Sequence, residues 1–348
     1  MAEKARTVPA EVSDGFIYPL FEADQPFWGV YHDQKGQFVV YDVSADSVTS
    51  RFSLSRIQQA PHKFQGSFSH VDTLLLLDLD YHRLIKLTPW GDTVSVWQLP
   101  YQWNEYGAIT FNAFVPTPIN YLEGSYFISI RSMEWDFNSP TGGLYQAPLF
   151  LRVGGPAPQD HAAVGAWPSY IKDPDHFALD LMPKLSRPRG DTLFYTFYSD
   201  PNVYAYAATQ QAKWQAHVPA NAFTHFAPMK MSMMADVGAA SAFGVQNSLY
   251  GGLVYDPYRD YLYRIVLHAL PLTREDGMEN IVEDKPWSLQ ILDAATLEAL
   301  GEAELPDAAQ YLPRSIYPTA EGLWIQHRST TQPADGDNRF TLFSLAEK

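Results

Sequence analysis

Four times along this chain a short alternating apolar run, a polar turn and a second alternating run follow one another. Phe38–Asp42 leads through 44–46 to Val48–Leu54, and Arg83–Leu87 leads through 90–92 to Thr93–Leu99. Asn202–Tyr206 leads through 209–211 to Lys213–Val218, and Ser288–Asp293 leads through 294–296 to Leu297–Leu305. A period of two puts successive side chains on opposite faces, and turns carrying Asp or Gly close such runs into antiparallel hairpins. Three of the four second runs stop at an aliphatic residue before proline: Leu99-Pro100, Val218-Pro219 and Leu305-Pro306. Proline has no N–H to give to a ladder, so the same stop at the same place marks a repeated unit.

A more apolar pair of runs precedes several hairpins. Ser67–Val71 is followed by Thr73–Leu79, and Gly251–Tyr255 by Tyr261–Leu267. The four consecutive leucines 74–77 do not alternate with polar residues, so their strand is expected to be buried on both faces. An inner strand sandwiched between neighbouring propeller blades meets that demand, while the outer strand meets solvent. Counting four-strand units gives 13–54, 66–99, 109–167, 176–218, 240–305 and 311–345. The last unit shows only three runs, Leu312–Tyr317, Gly322–His327 and Arg339–Leu345. Residues around Thr7–Val12 are expected to supply its fourth strand, closing the ring and removing free sheet edges. The expectation is an all-β chain: a six-bladed β-propeller of four-stranded antiparallel blades, a single domain over 1–348, with 1–12 a closing strand or partly flexible. Two β-sandwiches sharing hairpins are the alternative. Little helix is expected, with one turn or two at Leu54–Gln59.

The composition supplies the material for this. Of 348 residues 46% are hydrophobic and 14% aromatic, enough to pack a core and to exclude a disordered chain. A net charge of −15, spread along the chain, repels phosphate backbones and argues against nucleic acid as a partner. With no cysteine there are no disulfides, thiolate metal sites or cysteine nucleophiles. No apolar run approaches the ~20 residues of a membrane helix, and 1–6 carry no apolar leader segment. A periplasmic or cell-surface location is expected if an export signal, with a lipid anchor, was removed; otherwise a cytoplasmic one.

The stretch Tyr250–Val266, with weaker support from Ser199–Tyr206, resembles the TolB-like six-bladed β-propeller proteins, in particular a family of uncharacterised bacterial lipoproteins. The general pattern extends over most of the chain. The resemblance implies the same fold as the repeat count. It also implies export and lipid anchoring through an N-terminal cysteine, a residue this sequence lacks. It supplies no activity or catalytic residues.

Propeller geometry sorts the loops. First–second and third–fourth turns share one face of the ring; second–third loops and links between blades share the other. The first set is short here and the second long, and long loops on a rigid scaffold carry binding. The working face is therefore expected to hold 100–108, 132–144, 219–239, 269–287, 306–311 and 328–338. Tyr255–Asp260 has the look of a site, with carboxylates, an arginine and aromatics together. Its position reads as a first–second turn opened by Asp256-Pro257, with Arg259 and Arg264 pairing with Asp256 or Asp260, or covering rings.

The candidate ligand-binding residues are Trp103, Glu105, Tyr106, Arg131, Glu134, Trp135 and His225. Their rings and charges suit stacking on a sugar or anchoring a peptide or protein, though rings also fill gaps between blades. A methionine-rich run, Met229–Met234 near His225, reads as packing before it reads as a Cu(I) site. His70 and His82 flank strands and read as hydrogen-bonded structural residues. No metal-ligand histidine spacing, nucleophile elbow, phosphate loop or dinucleotide fingerprint occurs, so no cofactor or metal is expected and the catalytic residues are unknown. The favoured reading is a non-catalytic binding or scaffold propeller that recognises a protein, peptide or glycan. The alternative is a hydrolase or lactonase with a divalent metal in the channel, held by groups such as Glu105, Asn112, Glu134 and Asn247.

Overall fold

A computed structural model of the chain describes residues 3–9, 12, 16–22, 25–32, 35–54, 64–102, 108–111, 119–133, 148–154, 161–168, 183–186, 188–208, 212–227, 236–305, 308–328 and 338–344. Six antiparallel sheets form a six-bladed β-propeller. Blade 1 comprises β2 (Phe16–Glu22), β3 (Gln25–His32), β4 (Gln37–Asp42) and β5 (Ser47–Ser53), while β1 (Glu3–Val8) lies elsewhere. Blade 2 comprises β6 (Phe64–His70), β7 (Thr73–Asp78), β8 (Arg83–Leu87) and β9 (Thr93–Gln98). In blade 3, β10 (Ile109–Phe111) and β11 (Asn120–Leu122) pair with opposite ends of β12 (Ser125–Ser132), so the innermost strand is made in two pieces. β13 (Phe150–Val153) and β14 (His161–Val164) complete that blade. Blade 4 is β15 (Lys184–Leu185), β16 (Thr192–Thr196), β17 (Asn202–Ala207) and β18 (Ala212–His217). Blade 5 is β19 (Leu249–Asp256), β20 (Tyr261–Leu267), β21 (Trp287–Asp293) and β22 (Ala299–Glu304).

Blade 6 contains β23 (Tyr311–Thr319), β24 (Gly322–His327) and β25 (Asn338–Phe343), and β1 adds to β25 as its outer strand. The expected N-terminal closure is therefore present. Its register runs from Glu3↔Phe343 to Val8↔Asn338, a few residues upstream of the segment read from the sequence. The strand alternates as an outer edge should: Val8 enters the core between blades 6 and 1 and Arg6, on the same face, is half-buried, while Ala5 and Thr7 face solvent.

The core is divided among the seams between blades, one cluster to each of the six. The leucines of β7 show how a doubly buried strand serves two seams. Leu74 and Leu76 pack toward blade 1, whereas Leu75 and Leu77 pack toward blade 3. Period-two geometry sends successive side chains to opposite faces, and in a propeller both faces are interior. At the closing seam Trp28 of blade 1 lies 5.1 Å from Tyr317 and 4.9 Å from Phe340 of blade 6, ring centre to ring centre.

The repeat is visible in backbone hydrogen bonds. Just past the outer strand, Leu54, Leu99 and Val218 donate to the carbonyls of Gly36, His82 and Pro201, each at the end of its own blade's second–third turn. Pro100 and Pro219 follow this clasp, so the proline stop coincides with the chain leaving the blade.

Two expectations need correction. Residues 240–246 do not begin blade 5: they belong to a helix, α1 (Val237–Gln246), and the blade begins at Leu249. Nor are second–third connections long throughout, since those spanning 79–82 and 197–201 are tight turns and only four residues separate β3 from β4, and the long ones are 133–149, 268–286 and 328–337.

Candidate functional site

Two long connections meet on the loop face at blade 5: the link 218–248 from blade 4, and the loop 268–286 between β20 and β21. The link is fastened as it leaves β18. The Asn221 and Ala222 amides donate to the Glu302 carboxylate, the Ala220 amide donates to the Tyr250 hydroxyl, and Phe223 stacks on the Tyr250 ring at 4.5 Å. Further on, the Ser248 amide donates to the His225 carbonyl and the Ala227 amide to Asn247 Oδ1.

Helix α1 then stands on this link, fixed at both ends. Asp236 caps its N-terminus by accepting from the Gly238 and Ala239 amides at 2.9 and 3.2 Å. At its C-terminus the fully buried Lys285 donates to the carbonyls of Gly244 (2.8 Å), Val245 (3.0 Å) and Asn247. An ammonium has three protons, and all three go to backbone oxygens at the negative end of the helix dipole. Burial still pushes the Lys285 pKa down to about 8.

The loop 268–286 is braced in turn. Arg274 Nε donates to Asn280 Oδ1 at 2.9 Å, and its Nη2 pairs with Asp284. Asn280 Nδ2 donates to the Pro271 carbonyl at 2.7 Å. The Ile281 N–H, foremost, and Arg274 hold the Asp284 carboxyl below its usual range. From this braced assembly three large apolar side chains point to solvent: Val237 at 82% exposure, Met278 at 61% and Ile281 at 52%.

Beneath it, Arg264 is fully buried, with its guanidinium 3.8 Å over the Tyr250 ring. It donates to Gln290 Oε1 (2.9 Å from Nε) and to the carbonyls of Pro201 and Val218. Arg264 therefore does not pair with Asp256 or Asp260: its strand carries it toward the loop face, away from that turn. Burial lowers its pKa to about 10. Asp200, also buried, accepts from the Asn202 amide and the Tyr204 hydroxyl, and burial raises its pKa against those donors.

On the opposite face, the turn at Tyr255–Asp260 is scaffold. Asp256 is buried and accepts from the Tyr258 amide, Arg259 Nη1 and the Tyr263 hydroxyl. Arg259 also ties blade 5 to blade 6 through the Thr319 and Ala320 carbonyls, and Asp260 ties it to blade 4 through a bidentate pair with Arg189 at 2.6 and 2.7 Å.

Of the residues singled out from sequence, Arg131 and His225 lie within the described structure. Arg131 stands near the end of β12, opposite Thr110, and burial lowers its pKa. His225 is exposed in the link, its amide 3.3 Å from Ser248 Oγ. The two sit on the same face of the ring but on different blades. Trp103, Glu105, Tyr106, Glu134 and Trp135 lie outside the described residues, as do Asn112 and Met229–Met234. Asn247 is a clasp: its oxygen accepts the Ala227 amide and its Nδ2 donates to the Phe243 carbonyl at 3.0 Å. Among the described residues no three His, Asp or Glu side chains gather as a metal-binding group. His82 is a packed residue, its Nδ1 3.3 Å from the Pro100 carbonyl and its ring stacked on Tyr101 at 3.6 Å. Of the two roles read for Arg264 from the sequence, the structure shows the covering of a ring, that of Tyr250. Sequence reasoning missed Lys285 and Asp200; Asp236, an N-cap residue, is the signal that could have announced the helix Lys285 caps.

No protein-family model and no curated protein matches the chain. Among solved structures it is similar to a member of the DUF4221 family from Bacteroides vulgatus, with 15% identity, a TM-score of 0.74, and coverage of 99% of this chain and 96% of that one. It is also similar to a presumed exported protein from Bacteroides fragilis, with 9% identity, a TM-score of 0.54, and coverage of 99% and 96%. At such identities the likeness is one of fold.

Proposed function

We propose that the chain is a non-catalytic binding propeller that recognises a protein or peptide through its long-loop face. The observation that carries this reading is the braced assembly on blade 5. Helix α1, capped by Asp236 and Lys285, holds Val237 out to solvent, and the cross-tied loop beside it does the same with Met278 and Ile281. Pre-ordered apolar anchors bind without the entropic cost of immobilising a loose loop. Arg131 and His225, with Trp103, Glu105, Tyr106, Glu134 and Trp135, are proposed as further contact groups on this face. TolB-like kinship and a location outside the cytoplasm belong to the same proposal, supported by the propeller fold and by the name of the Bacteroides fragilis neighbour.

The test is selection of binding peptides from a displayed library against the intact protein, followed by titration of the winners into a Val237→Asp/Met278→Asp/Ile281→Asp variant. Loss of binding by about tenfold or more, with an unchanged thermal midpoint, is expected from removing these three apolar anchors. Peptides that bind the variant as well as the parent would place recognition elsewhere.

A further inference from the structure

A candidate for a second binding site lies apart from blade 5, on the outer rim between blades 1 and 2. There a cavity of about 370 Å³ is lined by Gln37, Arg51, Phe52 and Ser53 of blade 1 and by Pro89 and Trp90 of blade 2. Its volume falls at the small end of ligand pockets, which span ~300–1,000 Å³. Phe52 is buried and forms the floor, while Trp90 is 73% exposed and forms a wall. Among the described tryptophans Trp90 is the most exposed: Trp28, Trp167, Trp287 and Trp324 are buried, Trp97 is half-buried and Trp214 is 38% exposed.

Trp90 is not exposed through slackness of its turn. The Thr88 amide donates to the Asp92 carbonyl at 2.9 Å and the Gly91 amide to the Thr88 carbonyl at 3.0 Å, closing the turn from both sides. Thr88 Oγ1 accepts from the Trp90 and Asp92 amides at 3.3 and 3.1 Å. Gly91 has φ +90°, and a Cβ there would lie 2.0 Å from the Phe52 ring, so the turn backbone rests directly on the floor of the cavity. The turn thus fixes where the indole leaves the backbone, beside three side chains that carry hydrogen-bond donors, Gln37, Arg51 and Ser53.

We propose that this cavity binds a neutral saccharide, with Trp90 stacking on the C–H face of a pyranose ring and Gln37, Arg51 and Ser53 donating to its hydroxyls. A flat aromatic platform beside an amide, a guanidinium and a hydroxyl matches a ligand with one apolar face and a polar perimeter. Among the described residues no carboxylate lines the cavity, and the −15 charge of the whole chain disfavours a polyanion. The mixed lining, Gln37, Arg51 and Ser53 facing Phe52, Pro89 and Trp90, fits poorly to a wholly apolar peptide anchor. This inference is independent of the loop-face proposal.

The experiment is calorimetric and NMR titration of the full chain with neutral oligosaccharides (maltohexaose, cellohexaose, chitohexaose, mannohexaose) and with an acidic one, a galacturonate hexamer. At least one neutral oligomer is expected to bind, and Trp90→Ala is expected to weaken it about tenfold or more with no change in thermal midpoint. Gln37→Ala is expected to weaken it severalfold, and the Val237→Asp/Met278→Asp/Ile281→Asp variant to bind it as the parent does. Binding of no neutral oligomer, binding of the galacturonate hexamer alone, or binding indifferent to Trp90→Ala would each overturn the proposal.

Discussion

Single residues show where this chain uses its charges. Asp78, Asp256, Arg264 and Lys285 are fully buried, and each is met by donors or acceptors that hold turns, strands or a helix in place. A buried charge without partners costs several kcal/mol, so these positions are tolerated only because their neighbours are fixed. His82 carries the same logic into pH dependence. Burial, opposed by the Pro100 carbonyl and Asp78, lowers its pKa below the ordinary 6.5. As pH falls through 6.5 the unfolded chain takes up a proton before the native ring does, so stability declines on acidification from there to the native pKa. His82 also has φ +50°, a conformation that Asn adopts more readily than most residues with a side chain, so His82→Asn is the suitable probe. Urea midpoints of parent and variant between pH 7.5 and 5 should converge as pH falls, the parent losing more. Parallel curves would show that His82 does not titrate differently in the two states.

Elements differ in how much of them could be read from the sequence. The hairpins, their blade register and the doubly buried leucine strand were legible, because a period of two and a repeated Asp or proline punctuation are local signals. Helix α1 was not. Its sequence, Val-Gly-Ala-Ala-Ser-Ala-Phe-Gly-Val-Gln, contains two glycines and mostly small residues, so no apolar stripe marks it as helical. What sustains it is tertiary: Asp236 at one end and Lys285, about 40 residues away in sequence, at the other. The candidate site was legible as a face and not as a set of contacts, since the braces on blade 5 join side chains to backbone carbonyls that no motif announces. The helix makes its own prediction. Lys285→Met keeps the apolar stem but leaves three helix-end carbonyls without that donor, and should cost about 1–3 kcal/mol. Asp236→Ala should cost about 1 kcal/mol. Faster amide hydrogen exchange across 238–248 should accompany both losses. If exchange there stays at parental rates, the caps do not hold the helix.

At the scale of the molecule, the ring is a cycle of six seams, and one of them is made by opposite ends of the chain. β1 and β25 pair over Glu3↔Phe343 to Val8↔Asn338, so the last seam forms only when the two termini meet. Blades 4, 5 and 6 are in addition tied across the short-turn face by Arg189–Asp260 and by Arg259 to the Thr319 and Ala320 carbonyls. The closing seam instead has Trp28 packed on Tyr317 and Phe340, with Arg6 donating to the Val43 carbonyl at 2.6 Å. Opening of the ring should therefore begin where β1 lifts from β25, since an outer strand contributes less burial than the inner strands beside it. The absence of cysteine makes this testable without background. Ala5 and Thr341 are directly opposed, and an Ala5→Cys/Thr341→Cys pair should oxidise to an intramolecular disulfide. Constraining so long a loop has a chain-entropy ceiling on the order of 5 kcal/mol, of which engineered bonds deliver part. The oxidised variant should unfold at higher urea than its own reduced form, and protection from proteolysis should rise first at the N-terminal strand. Equal midpoints for the two forms would mean that β1 is not the latch, and that unfolding starts at another seam.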